Sequence, residues 1–292
     1  MRDGCPASSG SEIVQIAGGQ FMMGSTEHYP EEAPIGEIFV EPFDIDAREV
    51  TNAQFARFVA DTNYVTSAER ATALGFPENG SAVFSSSRWA FVSGADWRHP
   101  DGPGGTIDGR DNDPVVQVSL EDARAYADWA GRSLPTEAQW EFAARGGLEG
   151  AEFAWGDALT PGGAFMANTW QGVFPVSDSG SDGYAGRAPV GCYPPNRYGL
   201  YDMIGNVWEW TTNPYYPAQR FDPVVTDLMD RAPDGFDPRQ PGVPVGVIKG
   251  GSFLCAANYC RRYRPAARHA QDTGLGTNHI GFRTVSRMPT PR

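Results

Sequence analysis

The sequence predicts a loop-rich fold in which short strands and a few short helices are joined by many turns. The 292 residues include 35 glycines and 24 prolines, without the Gly-X-Y period of collagen. Hydrophobic residues make up 40% of the chain and charged residues 20%, so the chain can bury a core and is not disordered. Turn residues interrupt most apolar runs, and long helices or a regular barrel are not expected.

The strand patterns are clearest near the N-terminus. Residues 12–25 predict two short strands around a Gly18-Gly19 turn, and residues 38–43 continue in the same style. The stretches 66–109 and 213–245 have little periodicity, although their scattered aromatic residues argue against linkers. No internal repeat divides the chain.

Three helices have recognisable N-terminal signals. They are predicted at 52–61 after Thr51, at 120–130 after Ser119 and at 137–145 after Thr136. Gln54 and Gln139 stand where a capping box places its second member, so the first and third helices should carry complete boxes.

The charge of the chain argues against two classes of partner. With 36 acidic and 23 basic residues the formal net charge is −13, which repels nucleic-acid phosphates and anionic lipid surfaces. No apolar run approaches the roughly 18 residues of a membrane span, and the first eleven residues lack the pattern of a secretory signal. We therefore expect a cytoplasmic protein whose four cysteines are free thiols or ligands rather than disulfides.

The pair Cys255 and Cys260, spaced C-x4-C, is the candidate for chemistry. The spacing leaves open two buried thiols that act as small hydrophobic groups, or half of a zinc site. Zinc would need two further ligands, and Cys5 and Cys192 are distant and unpatterned, so we interpret them as incidental. Two thiolates alone suit a soft ion of low coordination number, above all Cu(I), and leave a position open for a substrate thiol.

A series of motifs then follows one order from about residue 13 to residue 285. The matching segments are 23–25, 50–55, 97–100, 132–141, 168–172, 205–210, 250–260, 261–264 and 281–283. In this order they resemble the formylglycine-generating enzymes, the sulfatase-modifying oxidases. Segments 132–141 and 205–210 mark the wider fold family, which includes non-catalytic members, whereas the cysteine pair marks the enzyme.

The resemblance implies an α+β, enlarged C-type-lectin-like fold with little regular structure. It also implies a single domain over residues 1–292, with flexible termini at 1–11 and 286–292, and a monomer. Relatives use O₂ and copper to oxidise the cysteine of a Cys-X-Pro-X-Arg segment in an unfolded sulfatase to Cα-formylglycine. This chain is accordingly expected to take such a polypeptide as its substrate.

The resemblance also assigns roles around the pair. Cys255 and Cys260 would hold Cu(I) as a two-coordinate dithiolate, with the substrate cysteine as a third thiolate. Removal of a hydrogen from the substrate Cβ would give a thioaldehyde, which hydrolyses to the aldehyde. Ser252 and Tyr259 would be polar partners of the oxygen species or of an ordered water, or would make only local hydrogen bonds. Trp208 stays open as a pocket wall, whereas Trp140 and Trp210 are expected in the core.

Two structural calcium sites follow from the same resemblance. The first would use the Asn168 and Asp182 side chains with the Thr169 and Tyr184 carbonyls. The second would use Asp202, Gly205, Val207 and Glu209, again two side chains and two carbonyls. Such all-oxygen sets fit Ca²⁺. Without the family, residues 178–183 would be only an acidic turn that lacks the EF-hand spacing.

Several questions stay open at the level of sequence. Arg261, Arg262 and Arg264 could lower the thiol pKa values or form a solvated basic face. Ala256 stands where several relatives carry histidine, and Pro265 where some carry another cysteine. The main alternative function is a related copper oxidase that acts on a different peptide thiol.

Two further functions fit the sequence less well. A non-catalytic peptide- or glycan-binding module of the same fold would not need the cysteine pair. An iron-dependent sulfoxide synthase would need an H-x3-H-x-E motif and a helical domain, and the sequence does not contain that motif.

Overall fold

The computed structural model describes residues 5, 12–221 and 235–287. This part of the chain contains thirteen strands and three α-helices, joined by long irregular segments. The strands are β1 Ile13–Ile16, β2 Gly19–Met23, β3 Gly36–Val40, β4 Phe43–Asp46, β5 Gly80–Ser85, β6 Arg88–Ser93, β7 Gly172–Val173, β8 Ser177–Asp178, β9 Trp208–Pro214, β10 Val245–Lys249, β11 Arg268–Asp272, β12 Ile280–Gly281 and β13 Val285–Arg287. The helices are α1 Asn52–Thr62, α2 Leu120–Trp129 and α3 Glu137–Arg145.

The strands form several small sheets rather than one large one. A three-stranded sheet has the order β1-β4-β13, and a four-stranded sheet has the order β11-β10-β9-β12. The remaining strands make the two-stranded pairs β2-β3, β5-β6 and β7-β8. In the four-stranded sheet only β12 runs parallel to its neighbour, β9. This sheet matters for function because the loop after β10 carries the cysteine pair.

The predicted helices are confirmed with boundaries shifted by at most one residue. Both predicted capping boxes form, since Gln54 N donates to Thr51 Oγ1 and Gln139 N donates to Thr136 Oγ1. A third box at Ser119 uses an aspartate in the second position, which the sequence reading missed. None of the helices in residues 12–221 and 235–287 is long and apolar enough to cross a membrane.

One of the strand predictions near the N-terminus needs correction. The predicted strand at 38–43 is interrupted, because β3 ends at Val40 and β4 begins only at Phe43. Pro42 lies in the gap and has no amide hydrogen to offer a strand partner. The two predicted strands around the Gly18 turn are confirmed as β1 and β2, and they pair with β4 and β3 respectively.

The predictions for the termini and the remaining cysteines are partly wrong. Cys5 and Cys192 are not free and incidental thiols but form a disulfide, with their Cα atoms 4.7 Å apart. The fold brings together two residues that are 187 positions apart, which spacing could not reveal. The C-terminal segment predicted as flexible begins too early, because Ser286 and Arg287 pair with β4 in β13. The rest of the two predicted flexible termini lies outside the described residues.

Candidate active site

The cysteine pair lies in the loop that follows β10. The loop begins with Gly250 and Gly251, whose φ angles of +95° and +76° are unfavourable for other residues. Backbone hydrogen bonds then close two consecutive turns. Cys255 N donates to the carbonyl of Ser252 at 2.8 Å, and Cys260 N donates to the carbonyl four residues before it at 2.9 Å. These turns bring the two thiols, five positions apart, to one place.

The two sulfur atoms lie 3.1 Å apart, and neither cysteine is in a disulfide. Cys255 is buried and Cys260 is partly exposed. Burial and the neighbouring sulfur raise the pKa of Cys255 well above its ordinary value. The hydrogen bond from Cys255 is the largest cause that lowers the pKa of Cys260, to about 6, and Arg262 adds to it. The pair therefore offers a thiolate at Cys260 beside a thiol at Cys255.

Arg262 is held beside the pair by contacts with the N-terminal region. One nitrogen of its guanidinium lies 2.5 Å from Glu31 Oε1, and the group stacks on the Tyr29 ring at 3.8 Å from the centroid. These contacts fix a positive charge next to Cys260. The sequence left open whether these arginines lower the thiol pKa values or form a solvated basic face. For Arg262, the structure favours the effect on the thiol pKa.

The other two arginines, Arg261 and Arg264, form ion pairs with different acidic residues. Arg264 is 2% exposed and forms a bidentate ion pair with the buried Glu32. Arg261 is more exposed and pairs with Glu152 at 2.8 Å. The three arginines therefore do not form one solvated basic face.

The predicted polar partners of the reaction occupy contrasting environments. Ser252 is fully buried, and its Oγ accepts a hydrogen bond from Leu254 N at 3.2 Å, which is the local turn contact that the sequence left open. Tyr259 is 69% exposed, and its ring stacks on Phe174 at a centroid distance of 4.5 Å. Tyr259 is thus available to a molecule that approaches from solvent, and Ser252 is not.

The three tryptophans of interest are all buried, as core residues would be. Trp140 and Trp210 have no exposed surface, which confirms their prediction as core. Trp208 is 3% exposed and stacks on His269 at a centroid distance of 5.8 Å. His269 is partly exposed, so its ring separates the buried Trp208 from solvent.

A row of aromatic side chains, which sequence reasoning missed, extends from Tyr259. We call Trp89, Phe84, Phe174 and Tyr259 the aromatic row. Phe174 stacks on Phe84 at 5.4 Å, and Phe84 packs edge-to-face on Trp89 at the same distance. Trp89 in turn contacts His279 at 4.8 Å. The row joins the β5-β6 hairpin to the cysteine loop and leaves Trp89 46% exposed.

The structure brings together the four residues predicted for the first calcium site. Asp182 accepts hydrogen bonds from Thr169 N at 2.9 Å and from Tyr184 N at 3.3 Å. Asn168 is 1% exposed, and its Oδ1 is buried without a hydrogen-bond partner. An unpartnered amide oxygen and a buried carboxylate are donor types that suit a hard cation.

In the second predicted calcium set, carboxylate oxygens already accept hydrogen bonds from the protein. Both oxygens of Glu209 are taken, since Arg283 donates to each at 2.7 Å and Trp140 Nε1 donates to one at 2.8 Å. Asp202 Oδ2 accepts from Gly191 N at 2.6 Å, and burial raises the pKa of Asp202 to about 6. The segment that carries Gly205 and Val207 lies between these two acids.

A residue absent from the sequence prediction, Glu49, adjoins this second set. Burial, followed by the charges of Asp202 and Glu209, raises the pKa of Glu49 well above its ordinary value. Among the described residues no group of three or more histidine, cysteine, aspartate or glutamate side chains is already arranged to hold a metal ion. The predicted sites differ from such groups because they draw half of their ligands from backbone carbonyls.

Comparison with known proteins identifies the family. The model of the sulfatase-modifying factor enzyme 1-like domain matches residues 3–288. A formylglycine-generating enzyme of Mycobacterium tuberculosis is 49% identical over 94% of this chain and 98% of its own length. The chain belongs to the sulfatase-modifying factor family.

The fold agrees with this membership. A solved structure of PvdO from Pseudomonas aeruginosa superposes with a TM-score of 0.66, covering 97% of this chain and 96% of that one, at 22% identity. The expected α+β, C-type-lectin-like fold with few helices and small mixed sheets is confirmed.

Similarity along the whole sulfatase-modifying factor domain does not by itself separate active from inactive members. A protein of Bos taurus named inactive C-alpha-formylglycine-generating enzyme 2 is 43% identical over 96% of this chain and 89% of its own length. The cysteine pair and its surroundings are therefore the features of this member that bear on catalysis.

Proposed function

We propose that this member of the family converts the cysteine of a Cys-X-Pro-X-Arg segment in a sulfatase to Cα-formylglycine, with O₂ and copper. The observation that carries the proposal is the pair of free sulfur atoms 3.1 Å apart, in a chain 49% identical to a formylglycine-generating enzyme. Relatives with that name support the conversion of a peptidyl cysteine. Copper, O₂ and the individual steps are our extension.

The donor set fits Cu(I). Two thiol sulfurs are soft ligands, and a d¹⁰ ion that accepts few ligands needs no others from the protein. Cys255 comes from the buried side of the loop and Cys260 from the partly exposed side, so a third sulfur has access beside Cys260. When bound, Cu(I) would supply the centre at which the substrate thiolate and O₂ react.

The protein's own groups would prepare and position the substrate. The thiolate of Cys260, beside the fixed charge of Arg262, provides one ligand without loss of a further proton. The exposed Tyr259 stands at the entrance and can donate a hydrogen bond to the bound segment. The hydrogen bond between Ser252 and Leu254 would stabilise the cysteine loop.

The reaction balances with an external reductant, such as a thiol. The substrate CH₂SH group, O₂, two electrons and two protons give a thioaldehyde and two waters. Addition of one water then gives the aldehyde and releases H₂S. The two hydrogens lost from the substrate come from Cβ and from sulfur.

A peptide assay tests the proposal. Purified protein is loaded with Cu(I) and incubated with O₂, a thiol reductant and a Cys-X-Pro-X-Arg peptide, and the peptide mass is followed. We expect the cysteine to become an aldehyde that reacts with hydroxylamine. Verified copper loading without any aldehyde would reject the function.

Matched cysteine variants assign the chemistry to the pair. Cys255→Ser and Cys260→Ser should each abolish turnover and lower the copper content. The double variant C5S/C192S replaces the two cysteines outside the pair and should retain turnover. Equal activity in all these proteins would show that the oxidation does not use the pair.

We further propose that the chain binds structural calcium at the two predicted sites. The unpartnered Asn168 Oδ1 supports the first site, and the buried Asp202 supports the second. Removal of calcium by a chelator should lower the melting temperature, and calcium should restore it. A melting temperature unaffected by either treatment would reject this proposal.

A further inference from the structure

His269 has a buried ring nitrogen to which the protein offers no hydrogen bond. The residue lies on β11, where it pairs with Ile248 of β10. Its Nδ1 atom is buried and has no hydrogen-bond partner among the described residues, although the residue as a whole is partly exposed. Buried polar atoms of side chains are nearly always hydrogen-bonded. An open nitrogen on a residue that reaches solvent therefore indicates a partner from outside the chain.

Neighbouring contacts fix the position of the His269 ring. Successive side chains of a strand point to opposite faces, and the preceding Arg268 donates two hydrogen bonds to Glu137 at 2.7 and 3.0 Å on the other face. The imidazole of His269 stacks on Trp208, with 5.8 Å between the ring centroids and an interplanar angle of 27°. Trp208 is 3% exposed, and its N donates to the carbonyl of His279 at 2.9 Å. The open nitrogen thus stands on a rigid support.

His269 neighbours both the cysteine pair and the Trp89 end of the aromatic row. Burial lowers the pKa of His269 to about 4, and the largest charge effect on it comes from Arg262, whose guanidinium is held beside Cys260. After burial, His269 is the main group that lowers the pKa of His279. The ring of His279 contacts Trp89 at a centroid distance of 4.8 Å. A peptide whose thiol reaches the cysteine pair and whose chain follows the aromatic row would pass close to His269.

The charge state of His269 suits an uncharged partner. With a pKa of about 4 the imidazole is neutral at neutral pH, so its Nδ1 can make an ordinary hydrogen bond but no ion pair. The main chain of a peptide carries an N–H donor and a C=O acceptor at almost every residue, and these groups need partners when they are buried. The rings of the aromatic row can pack against peptide side chains but leave most of these main-chain groups unpaired.

We propose that His269 is a substrate-binding residue whose Nδ1 hydrogen-bonds a main-chain amide group of the polypeptide that carries the reactive cysteine. The inference rests on the proposal that the chain oxidises such a polypeptide. It explains why this nitrogen has no partner within the protein. It also gives Trp208 a role, because that tryptophan supports the His269 ring rather than forming the pocket wall itself.

Two substitutions separate the ring nitrogen from the ring. His269→Phe keeps a ring on Trp208 and removes both nitrogens, whereas His269→Asn places an amide close to the position of Nδ1. Binding of a fluorescently labelled Cys-X-Pro-X-Arg peptide to the full chain is measured by anisotropy, and kcat and KM are measured with the copper-loaded enzyme. We expect H269F to raise the dissociation constant and KM about fivefold, as for one hydrogen bond between neutral groups, with kcat changed less than twofold. H269N should bind the peptide more tightly than H269F.

Gln271→Ala is the matched control on the same strand. Gln271 lies two positions after His269 and therefore on the same face of β11, but its Nε2 already donates to the carbonyl of Leu275 at 3.0 Å. This variant should leave the dissociation constant and KM unchanged. An equal loss of affinity in Q271A and H269F would show that disturbance of β11, and not the nitrogen of His269, weakens binding.

Stability distinguishes a binding residue from a structural one. H269F removes a buried nitrogen without a partner, so its melting temperature should not fall below that of the wild type. A lower melting temperature with unchanged peptide affinity would overturn the inference and leave the oxidation intact. A wild type that binds the peptide but forms no aldehyde would reject the oxidation, while the affinity of H269F would still decide the role of His269. A wild type that does not bind the peptide would overturn both.

Discussion

The carbonyl of Asn206 accepts a hydrogen bond from the amide of Phe253 at 2.9 Å, two residues before Cys255. Asn206 itself has a φ of +52° and is 1% exposed. Its side chain bonds Asn168 and Glu49, so one residue connects the candidate cation sites to the cysteine loop. Order at the cation sites should therefore affect the geometry of the thiols.

Asn206→Ala should be among the most destabilising single substitutions in the chain. It removes hydrogen bonds to Asn168, Glu49 and the backbone of Ala188, and leaves those buried groups unpaired. We expect the free energy of unfolding to fall by about 3–5 kcal/mol, measured by urea denaturation. Asn63→Ala, at an exposed position with φ of +54°, controls for backbone strain. An equal loss in both variants would contradict the network.

Phe174→Ala should weaken peptide binding more than it slows chemistry. Phe174 is the centre of the aromatic row and contacts Tyr259 and Phe84. We expect KM for the peptide to rise by about fivefold, with kcat changed less than twofold, since one aromatic contact is worth about 1 kcal/mol. Val176→Ala, at a side chain 78% exposed, is the control. A fall in kcat at constant KM would argue that the row does not bind peptide.

Lys249→Met should destabilise the protein, because it breaks a buried ion pair next to the cysteine loop. Lys249 is the only lysine in the chain and is fully buried at the end of β10. Its Nζ lies 3.0 Å from Glu141, a carboxylate that also pairs with Arg145. We expect the free energy of unfolding, measured by urea denaturation, to fall by about 3 kcal/mol. The reason is that the buried Glu141 carboxylate loses one of its two positively charged partners. The double variant K249M/E141Q should recover part of this loss, and no recovery would argue against the pair.

Loss of the Cys5–Cys192 disulfide should lower stability without affecting catalysis. The bond joins residues 187 positions apart, and closing so long a loop restricts the unfolded chain. We expect C5S/C192S to lose about 2–4 kcal/mol in the free energy of unfolding. Reduction of the wild type with a dithiol should produce the same change. A dithiol that leaves the denaturation midpoint in place would show that the bond contributes little.

The sequence could predict features that depend on neighbours along the chain. The capping boxes at Thr51 and Thr136 use residues three positions apart, and the cysteine pair lies within one loop, so local patterns contained both. The Cys5–Cys192 bond and the Glu49 contact with Asn206 join distant segments, and no local signal marks them.

The aromatic row was missed for a related reason. Phe84 and Trp89 lie on the β5-β6 hairpin, where aromatic residues could equally fill a core. Only their meeting with Phe174 and Tyr259 shows that they continue to the site. The hairpin turn at Ser86 and Ser87, both with positive φ, lacks the glycine or asparagine that would have marked it in the sequence.

Two histidines near the site should make the protein sensitive to acid. Burial lowers the pKa of His269 to about 4, with Arg262 as the next cause, and burial lowers the pKa of His279 to about 3, with His269 as the next cause. In the unfolded chain both should titrate near pH 6.5. The unfolded state therefore binds more protons below that pH, so stability is full above about pH 6.5 and is lost as the pH falls.

His279→Gln should reduce this loss. Glutamine can keep a hydrogen bond to Thr277, which lies 2.6 Å from His279 Nδ1, but cannot be protonated in the same range. We expect the wild type to lose about 1–2 kcal/mol per histidine between about pH 7 and about pH 5, and the variant to lose correspondingly less. Urea denaturation at both pH values measures the difference. A variant that loses as much stability as the wild type over this interval would show that burial of His279 is not the cause.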